Sequence, residues 1–248
     1  MLARLRATDP SEPLWQILLY RACRKVCAVG LAVFYRMDVR GLEHVPAQGG
    51  LLLVSNHQSH LDPPLLGVAI GSRNMAALAR TGLFSNRFFG WLLRGLGAIP
   101  IRQNEGDTAA IRAAITELKK GRVVLIFPEG SRSPDGAIHP FKRGTWLLLN
   151  RAECDVLPAA VEGAFDAWPR RRLVPKFFGQ RCMVAFGPPI PHARLKELGA
   201  DAALEHLARE IDAMRLGLRR ELRERSGGRL PRAGAGDTAL AVAPRHPA

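Results

Sequence analysis

Cysteine is scarce in this chain: four residues, Cys23, Cys27, Cys154 and Cys182, with no two in a CxxC pair. No charged, then apolar, then small-residue cleavage signal opens the sequence. The expectation is therefore free thiols in a reducing compartment, and no zinc site. Tyrosine is scarcer still, at two residues, and no reader motif interleaves basic side chains with stacking aromatics. That argues against nucleic acid, despite a formal net charge of +14. Long uncharged runs are missing as well. Arg21, Arg24 and Lys25 cut the most apolar early stretch into pieces well short of the roughly 20 residues that span a bilayer. There is no GxSxG and no cysteine beside a histidine, so no covalent nucleophile is evident. No internal repeat is found.

What remains is a chain of 248 residues, 47% hydrophobic, able to bury one substantial core. Its positive charge gathers at the ends. Residues 1–40 and residues 219–248 each hold seven Lys/Arg against three Asp/Glu. With nucleic acid set aside, an anionic membrane surface or a polyanionic substrate is the expected partner. Residues 13–36 carry Trp15, Leu19, Ala22, Val26, Val29 and Val33 at alternating steps of four and three. That is a helical stripe, predicting either a helix lying in a membrane interface or one packed on the domain. Residues 88–94, Phe-Phe-Gly-Trp-Leu-Leu-Arg, crowd large apolar side chains beside arginine and read either the same way or as core.

From residue 50 onward short apolar runs alternate with helical patterns. Strands are predicted at 51–54, 75–79, 98–101, 123–127, 155–161 and near 181–186. Helices are predicted after Asp107 or Thr108 to a stop at Gly121, at 143–152 and at 201–225. The alternation predicts an α/β fold with a largely parallel central sheet flanked by helices, and an N-terminal amphipathic membrane-interface helix. The expected organisation is a basic membrane-associating segment at 1–40, a domain at 41–226, and a disordered Ala/Gly/Pro/Arg tail at 227–248.

Two strings sit at predicted strand exits, where α/β sheets gather their ligands. In Asn56-His57-Gln58-Ser59-His60-Leu61-Asp62, a base and a carboxylate stand five positions apart. Asp62 precedes Pro63-Pro64, so it suits a helix N-cap, and the turn there also lets it fold back on His57. A carboxylate on Nδ1–H would leave Nε2 as a base. His60 with His57 and Asp62 could be metal ligands, but no downstream His or Cys cluster completes a shell, so no metal is expected. In Phe127-Pro128-Glu129-Gly130-Ser131-Arg132-Ser133, Gly130 permits a tight turn, Glu129 offers acceptors for hydroxyls and Arg132 a fork for phosphate. Lys142-Arg143-Gly144 adds positive charge at a helix start, with a solvated charge run as the alternative. A histidine base and a phosphate pocket without a nucleophile suit transfer to a hydroxyl from an activated donor such as a thioester.

These residues resemble the glycerolipid acyltransferases, including those acting on 1-acylglycerol 3-phosphate, over roughly residues 40–190. Asn56 to Asp62 is similar to the family's catalytic block, and Phe127 to Ser133 to its phosphate- and glycerol-binding block, continued by Phe141-Lys142-Arg143-Gly144. Val156-Leu157-Pro158-Ala159 resembles its proline-centred block, and Ala79 to Phe84 with Gly97 to Ile101 the region around its second. The resemblance implies His57 as general base with Asp62 orienting it. It also implies an acceptor pocket of Glu129, Gly130, Ser131, Arg132 and Lys142. The second block commonly ends in an arginine at what is here Gln103; Arg102 stands one place early, on the opposite face of a strand, and either reaches the phosphate as its substitute through a local bulge or leaves that task to Arg132 and Lys142. The activity implied is O-acyl transfer from acyl-CoA or acyl carrier protein to a lysophospholipid in phospholipid biosynthesis. No cofactor is expected beyond that co-substrate. The expected location is membrane-associated, monotopic or peripheral, on the cytoplasmic face. A non-catalytic membrane-surface protein binding lipid phosphate or acyl carrier is the alternative, and a metal-dependent hydrolase a third reading.

Overall fold

The computed structural model describes residues 13–71, 73–102 and 107–240. Helix α1, Leu14–Tyr35, leads to strand β1, Asp38–Arg40. Then come β2 (Leu51–Ser55), α2 (Asp62–Ala69), β3 (Met75–Arg80), α3 (Arg87–Gly95), β4 (Ile99–Ile101) and α4 (Thr108–Lys119). β5 (Val123–Ile126), α5 (Gly144–Arg151), β6 (Val156–Glu162), a single turn α6 (Ala164–Ala167) and β7 (Met183–Phe186) complete the sheet. The long α7, His192–Arg225, closes the domain with a break at Gly199, where φ is 73° and ψ 177°.

The strands form one seven-stranded sheet in the order β1-β7-β6-β2-β5-β3-β4. Only the β6–β7 pair is antiparallel. The largely parallel α/β fold expected from the alternation is therefore present. Its physical cause lies in the strands. Leu51–Ser55 and Val123–Ile126 are buried throughout, and both faces are covered, which is why they read as continuous apolar runs rather than alternating ones. Leu52 and Val54 point to a core shared with Ile111, Leu118, Leu149, Leu207 and Ile211 of α4, α5 and α7. Leu51 and Leu53 point the other way, to Leu31, Tyr35, Leu65 and Leu66 of α1 and α2. Truncating one such leucine to alanine costs about 2–5 kcal/mol.

Helix α1 is apolar on two sides. Ile17, Leu31 and Tyr35 face the domain, Tyr20 Oη accepts from Met75 N at 3.1 Å, and Arg24 donates to the Gly71 carbonyl. The stripe picked out in the sequence faces outward instead: Val26 is 72% exposed, Val29 58% and Val33 60%, with Trp15 also exposed. Trp15 stacks on Trp91 of α3, with centroids 6.4 Å apart. Phe88, Phe89 and Trp91 are exposed too, so residues 88–94 are not core. No helix is long and apolar enough to cross a membrane among the described residues.

Two further expectations need correction. Asp62 does not cap α2; it is the first helical residue, and its carboxylate reaches backward to other donors. Residues 227–240, expected as the start of a disordered tail, pack against α7, and 241–248 lie outside the described residues. The cause is a pair of buried guanidinium groups. Arg215 and Arg219 both reach the buried Glu162 carboxylate, Arg219 Nη1 at 2.7 Å and Arg215 Nη1 at 3.5 Å. One carboxylate cannot satisfy two desolvated cations. Asp212 accepts from Arg215 Nε at 2.8 Å, and the C-terminal segment supplies the rest: the Gly236 carbonyl to Arg215 and the Asp237 carboxylate to Arg219, each at 2.7 Å.

Candidate functional site

The parallel pairing of β2 with β5 aligns Val54 with Ile126. Both strings therefore leave the sheet at the same edge, and they are joined there by hydrogen bonds of backbone and side chain. His57 N–H donates to Glu129 Oε1 at 2.7 Å, and Ser133 N–H donates to the His57 carbonyl at 2.7 Å. Gln58 Nε2 donates to the Gly136 carbonyl at 3.1 Å. Below them, Asn56 pairs both ways with the Val161 backbone of β6, donating at 2.9 Å and accepting at 2.8 Å. The histidine loop is thus fixed from two strands at once.

His57 Nδ1 lies 2.8 Å from Asp62 Oδ2. The same oxygen accepts Gln58 N–H at 2.6 Å and Ser59 N–H at 2.7 Å. Three donors converge on one oxygen of a carboxylate whose side chain is 0% exposed, while Oδ1 is buried without a partner. Because a carboxylate accepts and does not donate, Nδ1 carries a ring hydrogen, so in the neutral imidazole the lone pair is on Nε2. The ring is held flat against Phe127, with centroids 3.9 Å apart and planes 14° apart. Its side chain is 17% exposed, which leaves one edge open.

The loop after β5 turns through Gly130 N–H to the Phe127 carbonyl at 2.9 Å. Gly130 has φ +69°, the left-handed region, and the Lys142 side chain lies over it, so close that a Cβ would meet it at 2.8 Å. A side chain at 130 would be strained and would push Lys142 aside. Lys142 is otherwise exposed, and its N–H donates to the Pro128 carbonyl at 2.9 Å. Arg132 is part-buried; burial, with the charges of Arg170 and Arg80 beside it, lowers its pKa. Ser131 lies between Gly130 and Arg132 on the same turn, part-buried. Cations thus gather where the sequence predicted a phosphate pocket.

Glu129 is 5% exposed, and both its oxygens are engaged, Oε1 by His57 N–H and Oε2 by His139 N–H at 3.1 Å. It ties the two loops together rather than presenting free acceptors. Burial pushes its pKa up to about 8, against the pull of those two donors. Arg102 stands at the end of β4, its N–H donated to Asp107 Oδ2 at 2.9 Å, and position 103 lies outside the described residues. Arg80, at the end of β3 and one strand nearer, is the arginine whose guanidinium reaches the Gly130 carbonyl, at 3.4 Å. His60 packs edge-on to Trp168 at 5.3 Å, outside the His57–Asp62 contact.

Sequence reasoning missed Arg80, although its place after the predicted strand 75–79 was the available signal. It also missed Gln58, whose Nε2 donates to the buried Glu162 at 2.8 Å and so links the histidine loop to Arg215 and Arg219. The arrangement is an oriented imidazole with a free Nε2, beside a cationic turn, at one edge of a rigid sheet. It can take a proton from a hydroxyl while an anionic group of the same molecule is held next to it.

A protein-family model described as Acyltransferase matches residues 36–162. The chain is similar to the chloroplastic 1-acyl-sn-glycerol-3-phosphate acyltransferase BAT2 of Brassica napus, 30% identical over 145 residues, covering 57% of this chain and 42% of that protein. It is also similar to the 1-acyl-sn-glycerol-3-phosphate acyltransferase of Bacillus subtilis, 29% identical over 145 residues, covering 58% of this chain and 72% of that protein. The match spans less than half the length of the plant relatives. Among solved structures, the 1-acyl-sn-glycerophosphate (LPA) acyltransferase PlsC of Thermotoga maritima shares the fold with a TM-score of 0.66 at 24% identity, over 77% of this chain and 76% of that one.

Proposed function

Since the chain belongs to the acyltransferase family, we propose that it moves a fatty acyl chain from a thioester to the free hydroxyl of a 1-acylglycerol-3-phosphate-like lysophospholipid. The donor is acyl-CoA or acyl carrier protein. The observation that carries this reading is the 2.8 Å contact of His57 Nδ1 with Asp62, which leaves Nε2 free beside the cationic turn at Gly130 and Arg132.

His57 Nε2 takes the proton of the acceptor hydroxyl as its oxygen attacks the thioester carbonyl carbon. The C–O bond forms, and the tetrahedral intermediate collapses with cleavage of the C–S bond. The departing sulfur recovers the proton from Nε2, so the histidine ends as it began. Asp62, desolvated and unable to move, stabilises the transient imidazolium. Arg132, Lys142 and Arg80 hold the acceptor's phosphate, and Glu129 keeps the two loops in register. A protein that only bound lipid would have no need for an imidazole hydrogen-bonded to a buried carboxylate with its second nitrogen free. The exposed apolar side chains of α1 and α3 support attachment to a membrane surface, where such an acceptor resides.

The test is an acceptor panel. Purified protein is given acyl-CoA or acyl carrier protein thioester with 1-acylglycerol 3-phosphate, lysophosphatidylcholine or glycerol 3-phosphate, and products are identified by mass spectrometry. Formation of phosphatidate in preference to the other products is expected. Failure to acylate any lysophospholipid with either donor would overturn the reading.

A further inference from the structure

A cavity of about 460 Å³ opens behind the turn that follows β6. Its walls are the end of α1, residues 163 and 166 of that turn, the segment before β7, and the end of α7 with the chain after it. It is separate from the edge that holds His57. The 163–168 turn stands between the two: Phe165 N–H donates to Gln58 Oε1 at 3.3 Å and the Trp168 carbonyl accepts from Ser59 Oγ at 2.9 Å on one side, while Gly163 and Asp166 line the cavity on the other.

Four arginines line it: Arg36, Arg181, Arg225 and Arg229. Arg225 is already committed to Asp38 and Glu221. Among the described residues, Arg36, Arg181 and Arg229 form no ion pair, and Arg229 Nε only donates to the Ser226 carbonyl, at 3.1 Å. Asp166, also in the lining, has its pKa raised by burial, with the Arg232 backbone N–H and the charges of Arg219, Lys176 and Arg232 pulling the other way, so it opposes an anion less than an exposed carboxylate would. Like charges around a concave surface repel one another, and an anion with several acceptor oxygens relieves this; the guanidinium fork matches phosphate.

Apart from Gln180 and Ser226, the rest of the lining is apolar or glycine. Phe34 meets Phe178 edge-on at 5.3 Å, and at the rim Phe178 is 74% exposed. Val33, also in the wall, continues the outward stripe of Val26 and Val29 along α1. A ligand that fits both features has a phosphate for the arginines and a hydrocarbon chain for the phenylalanine and valine rim. The volume suits a headgroup with the first part of its chains.

We infer that this cavity is a second lipid site, which binds the phosphate headgroup of an anionic phospholipid apart from the pocket beside His57. It goes beyond the proposed acyl transfer and does not depend on it. The probe is dioctanoyl phosphatidylglycerol below its micelle-forming concentration, titrated calorimetrically into the full chain. Three proteins are compared: the wild type, an Arg36→Gln/Arg181→Gln variant, and Arg132→Ala, which disables the phosphate pocket near His57. The expected result is binding that survives in Arg132→Ala and weakens at least about tenfold in the double variant, as loss of charge-assisted hydrogen bonds requires. Basal acyl transfer by the double variant stays within about twofold of wild type. Equal binding of dioctanoyl phosphatidylcholine, unchanged affinity in the double variant, or loss of binding in Arg132→Ala alone would each overturn the site. Displacement by millimolar inorganic phosphate with equal affinity would make it a small-anion site and overturn the lipid assignment. Should the double variant not fold, a photoreactive phosphatidylglycerol gives the second readout on the wild type: label on residues 174–181 and 222–231 supports the site, and label confined to the His57 edge refutes it.

Discussion

Replacing Asp62 by asparagine separates the two tasks assigned to that carboxylate. Its Oδ2 holds His57 Nδ1–H, Gln58 N–H and Ser59 N–H at 2.6–2.8 Å. The two backbone donors repel an amide NH2 and select the rotamer that keeps the carbonyl oxygen in the Oδ2 place. The NH2 then takes the position of Oδ1, which has no partner now. The loop geometry survives while the charge is lost. A unit charge about 4 Å from the imidazolium, at an effective dielectric of about 20, stabilises it by about 4 kcal/mol. That corresponds to roughly a thousandfold in rate. Asp62→Asn should therefore lower kcat by about 10³, and its amide NH2, buried at the Oδ1 place without an acceptor, should lower stability by about 1–3 kcal/mol. Asp62→Ala strips two buried N–H groups of their acceptor and should also destabilise the fold, by about 1–3 kcal/mol for each. Thiol release from the acyl donor gives kcat, and denaturant unfolding gives stability. An Asp62→Asn enzyme within threefold of wild type would refute the claim that the carboxylate stabilises a charged His57.

Other expectations follow from the same geometry. Arg132→Ala should raise the acceptor KM about tenfold or more while changing kcat less, and Arg80→Ala should do so more weakly; an unchanged KM in initial-rate kinetics removes Arg132 from phosphate binding. Glu129 binds its proton more tightly folded than unfolded, because burial lifts its pKa to about 8 from an unfolded value near 4.3. Its contribution to stability is therefore fully present below about pH 4 and is lost as pH rises toward 8, by a few kcal/mol in order of magnitude. Denaturation across pH 5–8 should show this slope in wild type and a flatter one in Glu129→Gln; parallel slopes would contradict the buried-acid account. Changing the exposed Val26, Val29 and Val33 together to serine should shift the protein from vesicles to the soluble fraction without lowering its melting temperature. Lowered melting with unaltered partition would mean that this face packs on protein instead.

How much of this was legible in the sequence depended on distance along the chain. Residues 51–54 and 123–127 announced themselves because strands covered on both faces are apolar without interruption. Once they pair in parallel, His57 and Glu129 meet although 72 positions separate them. The three-residue β1, Asp-Val-Arg, has no such run and was invisible. Periodicity revealed a stripe on α1 but not its direction, since an apolar stripe facing lipid and one facing a core read alike. Glu162, Arg215 and Arg219 looked like ordinary charges because the carboxylate lies more than fifty residues from both arginines, and the Ala/Gly/Pro tail gave no sign that its carbonyls would answer those arginines. Asp62 looked like a cap because a proline follows it; three donors that a sequence does not display drew its carboxylate the other way.

Whether His57 is the base for acyl transfer to a lysophosphatidate hydroxyl is decided by thiol release measured with and without 1-acylglycerol 3-phosphate, for wild type and for His57→Ala. Release should depend on the added lysolipid in wild type and fall by about 10² to 10⁴ in a folded His57→Ala protein. Lysolipid-dependent release at the wild-type rate without the imidazole would contradict that role.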